Sequence, residues 1–365
     1  MSAVIKNALV FDGRKFVGVR DVAIDGKFIA DSAPEGAEVI DGTGKTLLPG
    51  LWDCHVHIYD RPDFLEKSLR WGNTTICDMG CRERETVDKM KGLRIVNILS
   101  PYSFACAPTS GAPENMRYPA WTRMKTPEDG VAFVDKMVSW GADYIKIIIE
   151  EESGAGRNGG AEYPLEIGCA ILEEAHKNGK KVVSHATDLA SFRKAAEIGV
   201  DVITHMPMTG EMPDEVVERV IRQGETLTPT ITMMDAIAAN IKKARPQAPV
   251  SKRTAEENLK KFIKAGANIL VSTDANEDDP CPPASVEYGK GLLDEILNMR
   301  ECGMDAEEIL ARTTSLPAEY FGQPERGAIA PGKIADLLLV DGDLSENLEN
   351  IYRTAAVWFE GEKKA

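Results

Sequence analysis

Gly179-Lys-Lys-Val-Val-Ser-His185 and Gly199-Val-Asp-Val-Ile-Thr-His205 decide the fold of this chain. Each is a glycine, a short apolar run and a terminal histidine. A helix-forming stretch precedes each glycine, Leu165–Asn178 in one case and Leu189–Ile198 in the other. A glycine in that place closes a helix in the left-handed conformation. The apolar run after it reads as a buried parallel strand.

The same rhythm extends in both directions. Leu47–Ile58 is the first apolar run. Thr74–Cys77 follows the helical Phe64–Trp71, and Leu93–Ile98 follows Thr86–Lys91. Tyr144–Ile149 follows Pro127–Trp140 and Gly141. Beyond His205, Thr226–Ile231 follows Pro213–Gln223 and Gly224, and Asn268–Asp274 follows Thr254–Ala265 and Gly266. Eight strands alternating with helices predict an α/β protein, a (β/α)8 TIM barrel in preference to a doubly wound open sheet. The barrel is preferred because His, Lys and Asp fall at the ends of several different runs.

The flanks differ. Before residue 48 the chain reads as short strands punctuated by Asp12-Gly13, Asp25-Gly26 and Asp41-Gly42, and Asp-Gly is a hairpin signal. Two helices, Ser285–Cys302 and Asp305–Thr314, follow the eighth run. Strand character then returns in Ala335–Val340 and Ala355–Phe359. The predicted organisation is a barrel over 49–331 inserted in a small β-sandwich made from 1–48 and 332–365.

Composition narrows the function. The chain has 365 residues, 43% apolar and 28% charged, with a net charge of -15. That charge argues against nucleic acid and anionic membranes as partners. No stretch reaches the roughly 18 apolar residues of a membrane helix, and the opening residues read as no signal peptide. Seven cysteines without framework spacing fit reduced thiols in a cytoplasm. A small-molecule substrate is the expected partner, and self-association stays open.

Four of the five histidines close apolar runs. His55 and His57 form an HxH pair in Leu51-Trp-Asp-Cys-His-Val-His-Ile58. Residues two apart on a strand share a face, about 6.6 Å apart. His185 and His205 lie on consecutive strands, so their rings reach the same mouth of a barrel. Asp274 ends the eighth run, where a carboxylate can bind metal and move protons. Lys146 interrupts Tyr144–Ile149, and a lone ammonium in a sheet core is costly. Its neutral amine could combine with carbon dioxide to give a carbamate, an anion able to bridge two cations. The fifth histidine, His176, lies near a helix end and reads as solvated.

With these residues the chain resembles the amidohydrolase superfamily of metal-dependent hydrolases. The resemblance runs through Pro49–His57, Gly141–Ile147, Ser184–Ala186, Gly199–His205, Ser272–Ala275 and Gly327–Val340. It is nearest to the branch of imidazolonepropionase-related and prolidase-like Xaa-Arg dipeptidase proteins. It implies two divalent ions, most often Zn(2+). His55, His57 and Asp274 would hold one and His185 and His205 the other, with carbamylated Lys146 and a hydroxide between them. It also implies Asp274 as general acid and base, with His205 beside the substrate.

The loops carry specificity. Relatives often have a Gly-rich stretch after the fourth-strand lysine, whereas this chain has Ile147–Gly154 with Glu150, Glu151 and Glu152. Relatives often have His-Gly after the eighth strand, where this chain reads Glu287-Tyr288-Gly289. The long segment Ala105–Thr126 reads as a lid. Tyr118, Trp121 and Arg157 are the candidate substrate contacts, with Arg117 and Arg123 as further cations. The acidic residues 150–152 and 277–279 read as solvated loop charge. The expected reaction is hydrolysis of an amide or cyclic amide C–N bond in a dipeptide or N-acyl amino acid. An esterase or lactonase is the alternative. A deaminase fits less well, because deaminating relatives commonly carry Glu where this chain has Thr187, and because Lys146 is present. A scaffold without metals is the remaining class.

Overall fold

The computed structural model describes residues 2–152, 160–277 and 284–365. The chain opens with β1 (Ser2–Phe11), β2 (Phe16–Asp25), β3 (Phe28–Ala30), β4 (Glu38–Asp41) and β5 (Lys45–Pro49). Asp12-Gly13 and Asp25-Gly26 form hairpins as expected, whereas Asp41-Gly42 joins β4 and β5, which run in the same direction. Asp12 Oδ1 accepts from the amides of Arg14 and Lys15 at 2.8 and 2.9 Å, and Gly13 takes φ 108° between β1 and β2. Strand β1 changes partners along one edge, pairing in parallel with β4 over its first half and with β5 over its second. Asn7, at φ 59°, stands at the break.

A parallel α/β region follows. It begins β6 (Leu51–Val56), α1 (Pro62–Arg70), β7 (Asn73–Asp78), α2 (Arg84–Leu93), β8 (Asn97–Leu99) and β9 (Phe104–Cys106). Next come α3 (Ala112–Met116), α4 (Pro127–Trp140), β10 (Ile145–Ile148), α5 (Leu165–Lys177), β11 (Val182–His185), α6 (Leu189–Ile198) and β12 (Val202–Thr204). It continues with α7 (Asp214–Gln223), β13 (Thr226–Thr228), α8 (Ile231–Ala244), α9 (Lys252–Lys264) and β14 (Asn268–Ile269). The helices α10 (Lys290–Glu301), α11 (Ala306–Arg312) and α12 (Ser315–Tyr320) lead to β15 (Leu337–Asp341), β16 (Thr354–Phe359) and β17 (Glu362–Lys363).

The parallel strands form one sheet in the order β14-β13-β12-β11-β10-β9 and another in the order β6-β7-β8. Backbone bonds join the segment after β14 to the segment around β6: Cys54 N to Val271 O at 3.1 Å, Asp274 N to His55 O at 2.8 Å and His57 N to Ala275 O at 2.9 Å. The left-handed glycine stops are real, with Gly141 and Gly199 closing α4 and α6 at φ 91° and 80°.

Both chain ends share one eight-stranded mixed sheet, because β15 pairs antiparallel with β5 from Leu337↔Pro49 to Asp341↔Lys45. Alternate residues of β15 serve two cores. Leu337 and Leu339 pack within the terminal sheet, while Leu338 and Val340 pack with the parallel region.

Three expectations need correction. The first apolar run is two strands, since Gly50 separates β5 in the mixed sheet from β6 in a parallel one. The third run, Leu93–Ile98, becomes strand only from Asn97, and an unexpected strand, β9, follows it at the start of the segment read as a lid. Tyr102, at φ 63°, turns the chain between β8, which pairs with β7, and β9, which pairs with β10. Helix α8 lies where no helix was expected, directly after β13.

Candidate metal centre

His55 leaves β6 fully buried and His57 follows it, partly open at 19% side-chain exposure. Their two Nε2 atoms face one oxygen, Asp274 Oδ1, at 3.3 and 3.2 Å. The cross-sheet amide bond from Asp274 to the His55 carbonyl brings the partners together. Asp274 adopts φ 61° to present its carboxylate, a conformation few residues other than glycine hold without support. The support is Asp53, fully buried, which accepts from Thr273 Oγ1 at 2.6 Å, Thr273 N at 3.1 Å and His55 N at 3.2 Å. Burial pushes the Asp53 carboxyl up to about 7, against those bonds.

On the other side, His205 Nε2 lies 2.8 Å from His185 Nδ1. The His55 and His205 ring centres are 4.9 Å apart, so the two pairs adjoin. The outward ring nitrogens have protein neighbours: His205 Nδ1 has Thr230 Oγ1 at 2.8 Å, His57 Nδ1 has the Gly80 carbonyl at 3.4 Å, and His185 Nε2 has Glu150 Oε1 at 3.4 Å. The His205 and His57 contacts are hydrogen bonds, of the kind that hold metal-binding histidines, whereas His185 Nε2 makes none. Lys146 is 2% exposed, and its Nζ contacts Thr204 Oγ1 at 3.4 Å. Its side chain points inward, among the ligand candidates, and Asp274 and Asp78 both act on its charge.

Two of the imidazoles are held in the neutral form a cation requires, whereas, against burial, the Asp274 carboxylate raises His57 above its ordinary value. Burial pulls His55 down to about 3 and His205 well below its ordinary range. Burial also pushes the Lys146 ammonium down to about 7, which frees its amine near neutrality. For Asp274, burial works upward, but His55 and His57 overcome it and hold the carboxyl well below the usual carboxylate range. Asp274 Oδ1 and His55 Nδ1 are buried without a hydrogen-bond partner. Ligand atoms of His55, His205 and Asp274 lie within 4.8 Å of one another. Imidazoles, a carboxylate and orphaned buried atoms fit a divalent cation.

The comparisons with known proteins agree with that chemistry. The family model described as "Amidohydrolase family" matches residues 46–364. The chain belongs to the amidohydrolase family. That family comprises metal-dependent enzymes acting on C–N bonds. Among curated proteins, the chain resembles adenine deaminase 2 of Oenococcus oeni, with 24% identity over 358 residues, 93% of this chain and 56% of that protein. The chain thus spans about half the length of the curated relatives it matches. Among solved structures it resembles a Xaa-Pro dipeptidase with bound methionine, with TM-score 0.83, 20% identity and coverage of 100% and 99% of the two chains. A putative prolidase from Bifidobacterium longum gives TM-score 0.81 at 22% identity, covering 99% and 94%. These likenesses show the shared amidohydrolase fold, a TIM barrel.

The outer residues of this amidohydrolase divide. Tyr118 is buried, donates its hydroxyl to Gly80 O at 2.7 Å and leans on Phe104 with ring centres 4.3 Å apart. It thus shares the Gly80 carbonyl with His57. Trp121 packs on α4 instead, against Phe133 and Trp140, with Lys136 Nζ 3.5 Å from its ring centre. Among the described residues its ring partners are all on α4. Arg157 lies outside the described residues. Arg123 is engaged with Ser110 O and Glu114, and Arg117 caps the short α3.

Two sequence expectations about charge change. Glu150 is 6% exposed beside His185 and is no solvated loop charge. Glu277 pairs with Lys67 at 2.8 Å. His176 bonds Asp201 Oδ2 at 2.9 Å on the surface, apart from the centre. Sequence reasoning missed Asp53, Thr230 and Tyr288, whose hydroxyl donates to the His57 carbonyl. Asp53 and Tyr288 stood inside quoted motifs, and their nearness to His55 and Gly289 was the available signal.

No helix among the described residues is long and apolar enough to cross a membrane.

Proposed function

We propose that this chain hydrolyses an amide or cyclic amide C–N bond of a small molecule, of the dipeptide or N-acyl amino acid kind. The observation that carries the reading is the convergence of His55 Nε2 and His57 Nε2 on Asp274 Oδ1, beside the His185–His205 pair. His55, His57 and Asp274 would hold one divalent ion, His185 and His205 a second, and a Lys146 carbamate would bridge them. Zinc suits this nitrogen and oxygen donor set. Such ions lower the pKa of water to about 7 and polarise a carbonyl.

The chain's own groups do the rest. Asp274, held ionised, takes a proton at its carboxylate and returns it to the leaving nitrogen. His57 and His185, at 19% and 21% side-chain exposure, form the open side where substrate enters. Tyr118, fixed on Gly80, is a wall of that opening, and His205 adjoins the reacting carbonyl.

The same reading carries two statements about architecture. The nine parallel pieces act as eight strands closing one barrel over 49–331, with β8 and β9 as halves of the third. The terminal residues 1–48 and 332–365 form a sandwich, for which the change of partner along β1 is the support.

A second reading, deamination of an aminated heterocycle, draws on the curated relatives named adenine deaminases. Lys146 in the centre and Thr187 two residues beyond His185 favour hydrolysis.

Dipeptides and N-acyl amino acids offered to Zn(II)- or Mn(II)-loaded protein, with adenine alongside, separate the two. Turnover of adenine alone sinks the amide reading. Metal analysis tests the centre: Lys146→Ala is expected to lose bound metal and activity, with partial return in a short carboxylic acid. Full metal content and activity in that variant would remove the bridge.

A further inference from the structure

His205 and Thr230 both follow strands in the left-handed conformation, at φ 73° and 49°. Helix α8 begins at the next residue, Ile231. The first amides of a helix have no partner within it. Here a single side chain from α10 supplies one. Glu295, fully buried, accepts from Ile231 N at 2.8 Å on Oε1, and from Thr232 N and Thr232 Oγ1 at 2.7 Å on Oε2. Asn298 braces it, donating to Thr232 Oγ1 at 3.0 Å and to Glu295 Oε2 at 3.2 Å. Negative charge at a helix start is also favoured by the helix dipole.

The grip falls on the two residues directly after Thr230. Thr230 Oγ1 stands 2.8 Å from His205 Nδ1, and His205 Nε2 stands 2.8 Å from His185 Nδ1. The bond made by one ring nitrogen decides which state the other takes.

We propose that Glu295 is a positioning residue for His205. Through the Ile231 and Thr232 amides it fixes Thr230, whose hydroxyl oxygen accepts the Nδ1 proton of His205. The Nε2 lone pair is then left facing the centre, and in the metal-free protein it accepts from His185 Nδ1–H. This rests on the reading of His205 as a metal ligand. Glu295 touches no ligand itself, and its effect passes through backbone.

Imidazole nitrogen–proton correlation spectra of the whole chain test it, metal-free and with zinc added. His205→Gln assigns the resonances by their loss. The wild-type chain is expected to show His205 protonated on Nδ1. Thr230→Val should lose that state and Thr230→Ser should keep it. Glu295→Gln should lose it too, with zinc affinity falling roughly 10- to 100-fold. Glu295→Asp, a milder change that withdraws the carboxylate by one methylene, should shift the same resonance if the Gln variant does not fold. Both folded Glu295 variants with wild-type His205 signals and wild-type zinc affinity would overturn the proposal, whatever their melting temperature. A wild-type chain with the Nδ1–H state and no hydrolysis of any substrate would sink the proposed function while supporting this inference.

Discussion

Asp274 turns the chain in a left-handed conformation and presents one oxygen to two imidazoles. Asparagine keeps the shape and loses the charge and the proton-accepting oxygen. Asp274→Asn is expected to lower kcat by roughly 10²- to 10⁴-fold. Circular dichroism should stay unchanged, and a variant within about threefold of wild-type kcat would remove Asp274 from proton transfer. A second buried carboxyl lies far from this chemistry. Glu225, between α7 and β13, is 4% exposed with neither oxygen hydrogen-bonded. Burial pushes it up to about 8 from an ordinary 4.5. The folded chain therefore holds a proton that the unfolded chain releases. The stability tied to that proton is whole below pH 4.5 and is lost as pH rises through about 8. Glu225→Gln should raise stability at pH 8.5 by about 1–3 kcal/mol. Below pH 4.5 it should change little, and urea midpoints at the two ends of the range read the difference.

Among elements, the joint between β5 and β6 is closely packed. A Cβ on Gly50 would stand 2.1 Å from Thr74 Oγ1 and 2.8 Å from Thr74 Cβ, with Thr74 fully buried on β7. Neither side can yield, since β5 is held by β15 and β6 by β7. Gly50→Ala is expected to destabilise by about 1–3 kcal/mol, and an unchanged urea midpoint would show that the joint gives. Elements were legible in proportion to their local signal. Gly141, Gly199 and Gly224 marked helix ends because only backbone geometry is involved there. The break at Gly50 was invisible because both strands are apolar, and the partner that separates them is nearly 300 positions away. Helix α8 was missed because its start is capped by Glu295, a residue of another helix.

At the scale of the molecule, the four strand-ending histidines and Lys146 were readable because polar groups at the ends of buried strands break the apolar pattern. Glu150 and Glu295 were not readable, and Asp53 offered only its nearness to His55. A buried carboxylate and a solvated one look alike in sequence, and the hydrogen bonds that distinguish them are made between elements. The terminal sheet depends on the same kind of distant pairing. Strand β15 fills two cores at once, and β5 lies between it and β1. Residues 1–331 alone should therefore expose Leu47 and Leu48 and bind a hydrophobic dye or precipitate. A monomeric, cooperatively melting fragment would show that the tail is dispensable.

The bond between Asp53 and Thr273 spans 220 positions. During translation the HxH pair leaves the ribosome first, then Lys146, then His185 and His205, each without the carboxylate that gathers them. A nascent chain can hold a cation only loosely until Asp274 has emerged and crossed to His55. A cation at this centre would thus be gripped fully only once the segment after β14 has been made and has met β6.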